Sequence, residues 1–221
     1  MKRVFVWLST LLLIACGSDS GTGQNAATSE DPFIIVALGD SLTEGYGVGP
    51  EEAYPFVLGQ RLEKEGWPVS VVNAGISGDT SADVLARIDQ VIETHHPNLV
   101  ILAIGANDGL RRMPVSDMEA NIRNILTQCE AASIPVLFCG MKIHLNMGKG
   151  YASDFEAVYP ALAKEKDLRF IPFFLEGVAL KRSLNLSDGI HPNAEGYREI
   201  VRRILPDVEK ALKKEGVRPG R

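Results

Sequence analysis

Three side chains in this sequence have the types that nucleophilic catalysis by an oxygen atom requires. Ser41 follows Gly39-Asp40 at the end of an apolar run, and Asp188 stands three residues ahead of His191 in Asp188-Gly189-Ile190-His191-Pro192. A serine hydroxyl is a weak nucleophile until a base takes its proton. Histidine titrates in the range that suits that task, and a nearby carboxylate can accept its second ring N–H and fix the tautomer. The three together read as nucleophile (Ser41), base (His191) and orienting acid (Asp188). Singly, each has a plainer reading: Gly-Asp-Ser caps a turn, and Asp-Gly ahead of a proline closes one. Two further clusters join glycine to polar residues, Asn73-Ala74-Gly75-Ile76-Ser77-Gly78 and Gly105-Ala106-Asn107-Asp108. In isolation, Gly78 is a turn residue with positive φ and Asn107-Asp108 a helix cap.

The elements around these clusters give them a common location. Phe33 to Leu38 is apolar at every position, as in a strand buried on both faces of a parallel sheet. The run stops at Gly39, so Asp40-Ser41 falls at the carboxyl end of a strand, where open parallel sheets place their ligands. Val69–Val72 and Leu99–Ile104 are similar runs that lead into the other two clusters, and Pro135–Phe138 and Leu168–Ile171 read as a fourth and a fifth strand. Helical spacing lies between them. It covers Ala53–Glu65, a stretch opened by Thr80 or Ser81 with Val84, Leu85, Ile88, Val91 and Ile92 inward, and one capped by Ser116 with Met118, Ile122, Ile125 and Leu126 inward. Phe155–Lys166 and Ala194–Lys214, the latter disturbed at Pro206, complete the set. This alternation predicts an α/β fold over residues 32–221: a three-layer, flavodoxin-like sandwich around a five-stranded parallel sheet with right-handed crossovers.

Composition excludes several function classes. The net charge of the 221 residues is −5 and no basic block interrupts the body, which argues against nucleic acid as a partner. Lys213, Lys214, Arg218 and Arg221 read as a solvated tail. His95-His96 precede Pro97 at a helix end and His144 is lone, so no metal site is expected. Gly45, Gly47 and Gly49 lack the Lys-Ser/Thr of a phosphate loop, and no cofactor is expected either. Cys129 falls in a helical pattern and Cys139 in the next strand, which predicts two buried free thiols.

With these four pieces in order, the sequence resembles the SGNH (GDSL) hydrolase family. Its blocks are met by Gly39-Asp40-Ser41-Leu42, by Gly78, by Gly105-Ala106-Asn107-Asp108 and by Asp188-Gly189-Ile190-His191-Pro192. The similarity covers residues 33–205. It is greatest to the bacterial periplasmic acyl-CoA thioesterase/lysophospholipase and arylesterase group, through Ile76-Ser77-Gly78-Asp79-Thr80-Ser81, Asn107-Asp108-Gly109-Leu110-Arg111 and Pro172-Phe173-Phe174. The resemblance implies a serine esterase or thioesterase with Ser41, Asp188 and His191 catalytic. Its oxyanion hole would be made by the backbone N–H groups of Ser41 and Gly78 and the side-chain amide of Asn107. Asp40 and Asp108 are read as structural. Leu110, Met113 and the segment from Ile143 to Tyr151 offer apolar surface to an acyl chain, and Arg111 and Arg112 are either solvated or turned toward a phosphate-bearing leaving group. The expected substrate is a small acyl ester or thioester, lysophospholipids included. A carbohydrate O-acetyl esterase of the same family and a non-catalytic binding lipoprotein are the alternatives.

The amino terminus reads separately. Lys2 and Arg3 precede the apolar stretch Val4–Ile14, which is too short to span a bilayer securely, and Leu13-Ile14-Ala15-Cys16 resembles the bacterial lipobox. The resemblance implies a signal peptide over residues 1–15, lipidation of Cys16 and a flexible tether over residues 16–31. Gly17 after the cysteine favours an outer-membrane anchor facing the periplasm. The membrane is otherwise not an expected partner, and the hydrolase domain is expected to be a monomer.

Overall fold

The computed structural model describes residues 32–143 and 148–220. The expected leader over residues 1–15, Cys16, the tether over residues 16–31 and His144 lie outside the described residues.

Strand β1 (Phe33–Gly39) lies in the interior of the sheet because it has no polar side chain to present to water on either face. It pairs in parallel with β2 (Val69–Gly75) on one side and β3 (Leu99–Ala103) on the other. β4 (Val136–Cys139) and β5 (Arg169–Ile171) extend the sheet in the order β2-β1-β3-β4-β5, all parallel. The five residues of β3 are all buried, as its unbroken apolar run requires. The chain leaves β1 toward β2 and returns across it to β3, so its direction reverses beside the carboxyl end of β1. That reversal leaves a crevice at the strand ends, and Ser41 stands in it.

The helices fall into two packed groups. α2 (Tyr54–Lys64) packs against α7 (Ala194–Lys214), while α3 (Ser81–His95) packs against α5 (Val115–Ala131), which α6 (Lys149–Glu165) adjoins. Two short helices, α1 (Ser41–Glu44) and α4 (Ala106–Leu110), follow β1 and β3 directly. Thr80 opens α3 through a reciprocal box: its hydroxyl accepts the N–H of Asp83, whose carboxylate accepts the N–H of Thr80 at 2.9 Å.

The helix starts differ from the sequence expectation in two places. Ser116 does not cap α5. The carbonyl of Pro114 closes that first turn by accepting the N–H of Asp117 (3.1 Å) and Met118 (3.3 Å), and the proline ring presets the entry angle. α6 begins at Lys149 rather than Phe155, because its first turn is mostly solvent-facing and carries little apolar spacing. α7 continues through Pro206. Cys129 and Cys139 are buried free thiols, and burial raises the Cys129 thiol to about 11.

The last residue of β1 has no room for a side chain. A Cβ on Gly39 would collide with the carbonyl oxygen of Ala103 on β3 and with the Thr43 hydroxyl of α1. Replacing Gly39 by alanine should therefore destabilise the domain by about 1–3 kcal/mol, measured as a lower urea midpoint at unchanged slope.

Candidate active site

The chain turns at the end of β1 because Asp40 caps the short helix α1. Its Oδ1 accepts the N–H of Leu42 at 3.0 Å, so α1 begins at Ser41 itself. Ser41 is 9% exposed, and its Oγ lies 3.0 Å from Nε2 of His191. Nδ1 of His191 lies 2.7 Å from Oδ2 of Asp188. The other oxygen of Asp188 accepts the N–H groups of Ile190 (2.8 Å) and His191 (3.0 Å), so one short turn engages the whole carboxylate. Partial burial alone would raise the pKa of Asp188. The hydrogen bonds from the His191 ring and the two N–H groups outweigh that and hold it down to about 2. At neutral pH the acid is therefore fully ionised.

The turn is anchored at both ends. The N–H of Leu186 donates to the carbonyl of His191 (2.8 Å), and the N–H of Asn193 to that of Leu184 (3.0 Å). Asn185 pairs in antiparallel fashion with Pro192. The ring of Tyr46, half exposed, lies 4.6 Å from that of His191, tilted by 42°. Tyr46 sits in the glycine-rich loop after α1, and nothing in its neighbours' types announces this contact.

The other two strand ends converge on the same place. Gly78 adopts φ of +88°, which only glycine takes without strain, and neither its N–H nor that of Ser41 has an acceptor among the described residues. Asn107 on α4 donates one amide hydrogen to the carbonyl of Asp79 (2.9 Å), which fixes the side chain and leaves its second hydrogen available. Asp108 is nearly inaccessible and accepts both the N–H (2.9 Å) and the hydroxyl (2.6 Å) of Ser81, tying α4 to the start of α3. Arg111 donates to the carbonyl of Gly78 at 2.8 Å, so it is engaged with this turn rather than simply solvated.

The sequence pattern does not single out Arg87, yet it joins the ends of β1 and β2 to the turn that carries Gly78 and Asp79. Its Nε donates to the carboxylate of Asp79 (2.8 Å), and Nη2 donates to the carbonyls of Gly39 (3.1 Å) and Ala74 (2.9 Å). The available signal was its place on α3: position 87 lies one turn from Val84 and Val91 on the core-facing stripe, where a cation needs partners.

Beside Ser41, Asn107 and His191 lies a cavity of about 350 Å³ with mainly apolar walls, among them Leu42, Leu110, Ile143, Phe173 and Leu175. Leu110 is thus on its wall. Met113 is not: its N–H donates to the carbonyl of Asp108 (2.9 Å) and its own carbonyl accepts the hydroxyl of Tyr151 (2.6 Å), so the residue ties the loop to α6.

A Ser-His-Asp relay at the carboxyl edge of a parallel sheet is the arrangement of the α/β serine hydrolases. Residues 37–199 match the model of the GDSL-like Lipase/Acylhydrolase family, and the chain belongs to that family. It is 34% identical over 187 residues to an arylesterase of Vibrio mimicus, covering 85% of this chain and 94% of that one. It is 40% identical over 169 residues to thioesterase 1/protease 1/lysophospholipase L1 of Escherichia coli K12, covering 76% of this chain and 79% of that one. Among solved structures, the psychrotrophic esterase EstA from Pseudoalteromonas, inhibited by monoethylphosphonate, superposes with a TM-score of 0.78 at 30% identity, over 82% of this chain and 99% of that one.

Asp40, immediately before Ser41, titrates unlike an ordinary carboxyl. Burial, opposed by the N–H of Leu42 and reinforced by the charges of Asp108 and Asp79, raises it to about 7. A carboxyl whose folded pKa exceeds its unfolded one favours the fold when protonated, and that advantage is lost as pH rises toward 7. The Asp40→Asn variant, which keeps the cap acceptor, should gain thermal stability relative to the parent between pH 5 and pH 7, with no further gain above. Melting curves across that range check this; a difference independent of pH would contradict it.

Proposed function

We propose that the chain is a serine esterase that hydrolyses carboxylic esters and thioesters through an acyl-enzyme on Ser41, with His191 and Asp188 completing the catalytic triad. The observation that carries this is the unbroken relay from Asp188 through His191 to Ser41, at 2.7 and 3.0 Å, opening onto an apolar cavity. His191 Nε2 takes the Ser41 proton as Oγ bonds to the carbonyl carbon, and ionised Asp188 stabilises the imidazolium. The N–H groups of Ser41 and Gly78 and the free amide hydrogen of Asn107 receive the oxyanion. Collapse breaks the C–O or C–S bond, and His191 returns the proton to the leaving alcohol or thiol. Water then repeats the sequence with its proton passing to His191, releasing the carboxylic acid and restoring the serine.

Aryl esters, acyl-CoA-type thioesters and lysophospholipids are the substrates suggested by the relatives' names. A cavity of about 350 Å³ with mainly apolar walls favours short-to-medium acyl chains over the acetyl group that a carbohydrate O-acetyl esterase removes. Residues 1–15 and Cys16 place the enzyme in the bacterial envelope in this reading, lipid-anchored by Cys16 at the outer membrane and facing the periplasm. Among the described residues no helix is long and apolar enough to cross a membrane.

Hydrolysis of p-nitrophenyl esters from acetate to palmitate, by the chain and its Ser41→Ala variant, tests the reading. Turnover should peak at short-to-medium chains and vanish in the variant. Activity confined to acetate would favour the O-acetyl esterase, and no Ser41-dependent turnover on any ester would favour a non-catalytic binding protein. Asn107→Ala should lower turnover by about 10²–10³ with a small change in KM, because the amide acts chiefly on the developing oxyanion. Retention of more than about a tenth of parental turnover would remove Asn107 from the oxyanion hole.

A further inference from the structure

The two backbone donors of the oxyanion hole come from pieces of chain that lie far apart in sequence. The N–H of Ser41 belongs to α1 and that of Gly78 to the turn after β2, with α2 and β2 between them. The bonds of Arg87 and Arg111 hold this turn to the strand ends and to the end of α4, and none of them reaches α1. Glu44, the last residue of α1, makes that connection. Its Oε2 accepts the N–H of Ser77 at 2.9 Å and the Ser77 hydroxyl as well. Its backbone carbonyl accepts the side-chain amide of Asn73 at 3.1 Å, and Oδ1 of Asn73 accepts the N–H of Gly75 at 3.0 Å. The end of α1 is thereby tied to β2 and to the residue that precedes Gly78. The fit is close: a Cβ on Gly75 would collide with the backbone nitrogen of Glu44, so α1 rests directly on the end of β2.

A single carboxylate oxygen that takes both hydrogens of Ser77 fixes the backbone and the side chain of that residue together. The peptide group after Ser77 carries the Gly78 N–H, so the direction of that N–H follows from the same contact. Two donors serve one oxyanion only when both lie about 2.7–3.1 Å from the same point. Glu44 stands three residues after Ser41 on one helical turn, so its grip on Ser77 sets the Gly78 N–H against that of the nucleophile. A carboxylate has the wrong charge to stabilise an oxyanion itself, so its benefit lies in geometry. Glu44 and Ser77 are both exposed, and parting them leaves no buried polar group unpaired. The contact therefore adds little to the stability of the fold; what it supplies is position.

We propose that Glu44 is a positioning residue for the oxyanion hole, clasping Ser77 so that the N–H groups of Ser41 and Gly78 converge on one oxygen. It acts through Ser77 rather than on the substrate. The proposal rests on the acyl-hydrolase reading above and adds to it a residue outside the triad and the three oxyanion donors.

The test compares the full chain with its Glu44→Ala, Glu44→Gln and Ser77→Ala variants on p-nitrophenyl butyrate and on the thionoester in which sulfur replaces its carbonyl oxygen. Sulfur is larger than oxygen and a weaker acceptor, so the thionoester draws little from a hole spaced for an oxyanion. In Glu44→Ala, kcat for the ester should fall about tenfold with KM unchanged, and the preference for ester over thionoester in kcat/KM should fall by a similar factor. Glu44→Gln, whose amide oxygen can accept both hydrogens, should keep kcat within about twofold of the parent and keep the preference. Ser77→Ala loses only the hydroxyl bond and should fall between the two. Combined with Glu44→Ala, it should cost no more than Glu44→Ala alone, because both break the same contact. A folding defect lowers the active fraction equally for both substrates and so leaves the preference unchanged. An unchanged preference in Glu44→Ala, or an equal loss in Glu44→Gln, would overturn the clasp while leaving the esterase intact. Absence of Ser41-dependent turnover of the ester by the parent would instead overturn the acyl-hydrolase reading itself.

Discussion

The guanidinium of Arg87 ties the turn that carries Gly78 and Asp79 to the paired ends of β1 and β2. Strands of a parallel sheet end in carbonyls with no partner beyond the last pair, and the loops after them are free to diverge. Here one planar fork takes the carbonyl of Gly39 at the end of β1, that of Ala74 one residue before the end of β2, and the carboxylate of Asp79, the residue after Gly78. Arg87 and Asp79 are 17% and 12% exposed at their side chains, so the pair is poorly screened and its geometry is correspondingly restrictive. Asn107 and Arg111 add their bonds to the Asp79 and Gly78 carbonyls, which brings the end of β3 into the same network. The N–H groups of Ser41 and Gly78 and the amide of Asn107 are thus set in position before any substrate arrives. A transition state gains most from donors that need no reorganisation.

Asp188 and His191 are arranged with similar economy, in a separate piece of chain. One turn of four residues supplies both the imidazole and the carboxylate that orients it, and the same carboxylate organises the turn by accepting two of its N–H groups. Asp188 is therefore a turn-former and a relay member at once. Its ionisation is secured by hydrogen bonds rather than by burial, which would act in the opposite direction. Pairing of Asn185 with Pro192 and packing of Tyr46 against the imidazole set where this turn stands relative to Ser41.

Those two arrangements differ in how far they were legible in the sequence. β1 and β3 were readable because an unbroken apolar run has one consistent explanation in a parallel sheet, and their ends located Ser41 and Asn107. Asp188 and His191 were readable as types at a spacing, since a single turn brings them together whatever the rest of the chain does. Arg87 was not, because a cation on a core-facing stripe has many possible partners, and its three lie at the ends of two strands and in the turn after the second. Met113 was misplaced for a related reason: an apolar residue beside Leu110 carries no mark of which way its loop turns, and the hydroxyl of Tyr151, 38 residues on, decides it. The caps divided in the same way. Thr80 worked through a local box, whereas Ser116 was displaced by the preset geometry of its neighbour Pro114.

Specificity is built where the constraints are weakest. The sheet edge is clamped by Arg87, so changes there would disturb the reacting atoms as well as the substrate's outline. The segment from Phe173 to Gly189 belongs to no strand, and it walls the apolar cavity beside Ser41 on one side and a second depression on the other. Leu180 sits at their junction with φ of +66° and 68% of its surface exposed. A branched apolar residue gains nothing in stability from either property, and strain of this kind persists where surrounding structure fixes it for another purpose. Substitutions at Leu180, Lys181 and Arg182 can therefore redraw these walls without touching the hydrogen bonds of Asp188, His191 or Ser41, whereas Asn185 and Leu186 hold the His191 turn itself. The relay then stays constant while the walls around it vary.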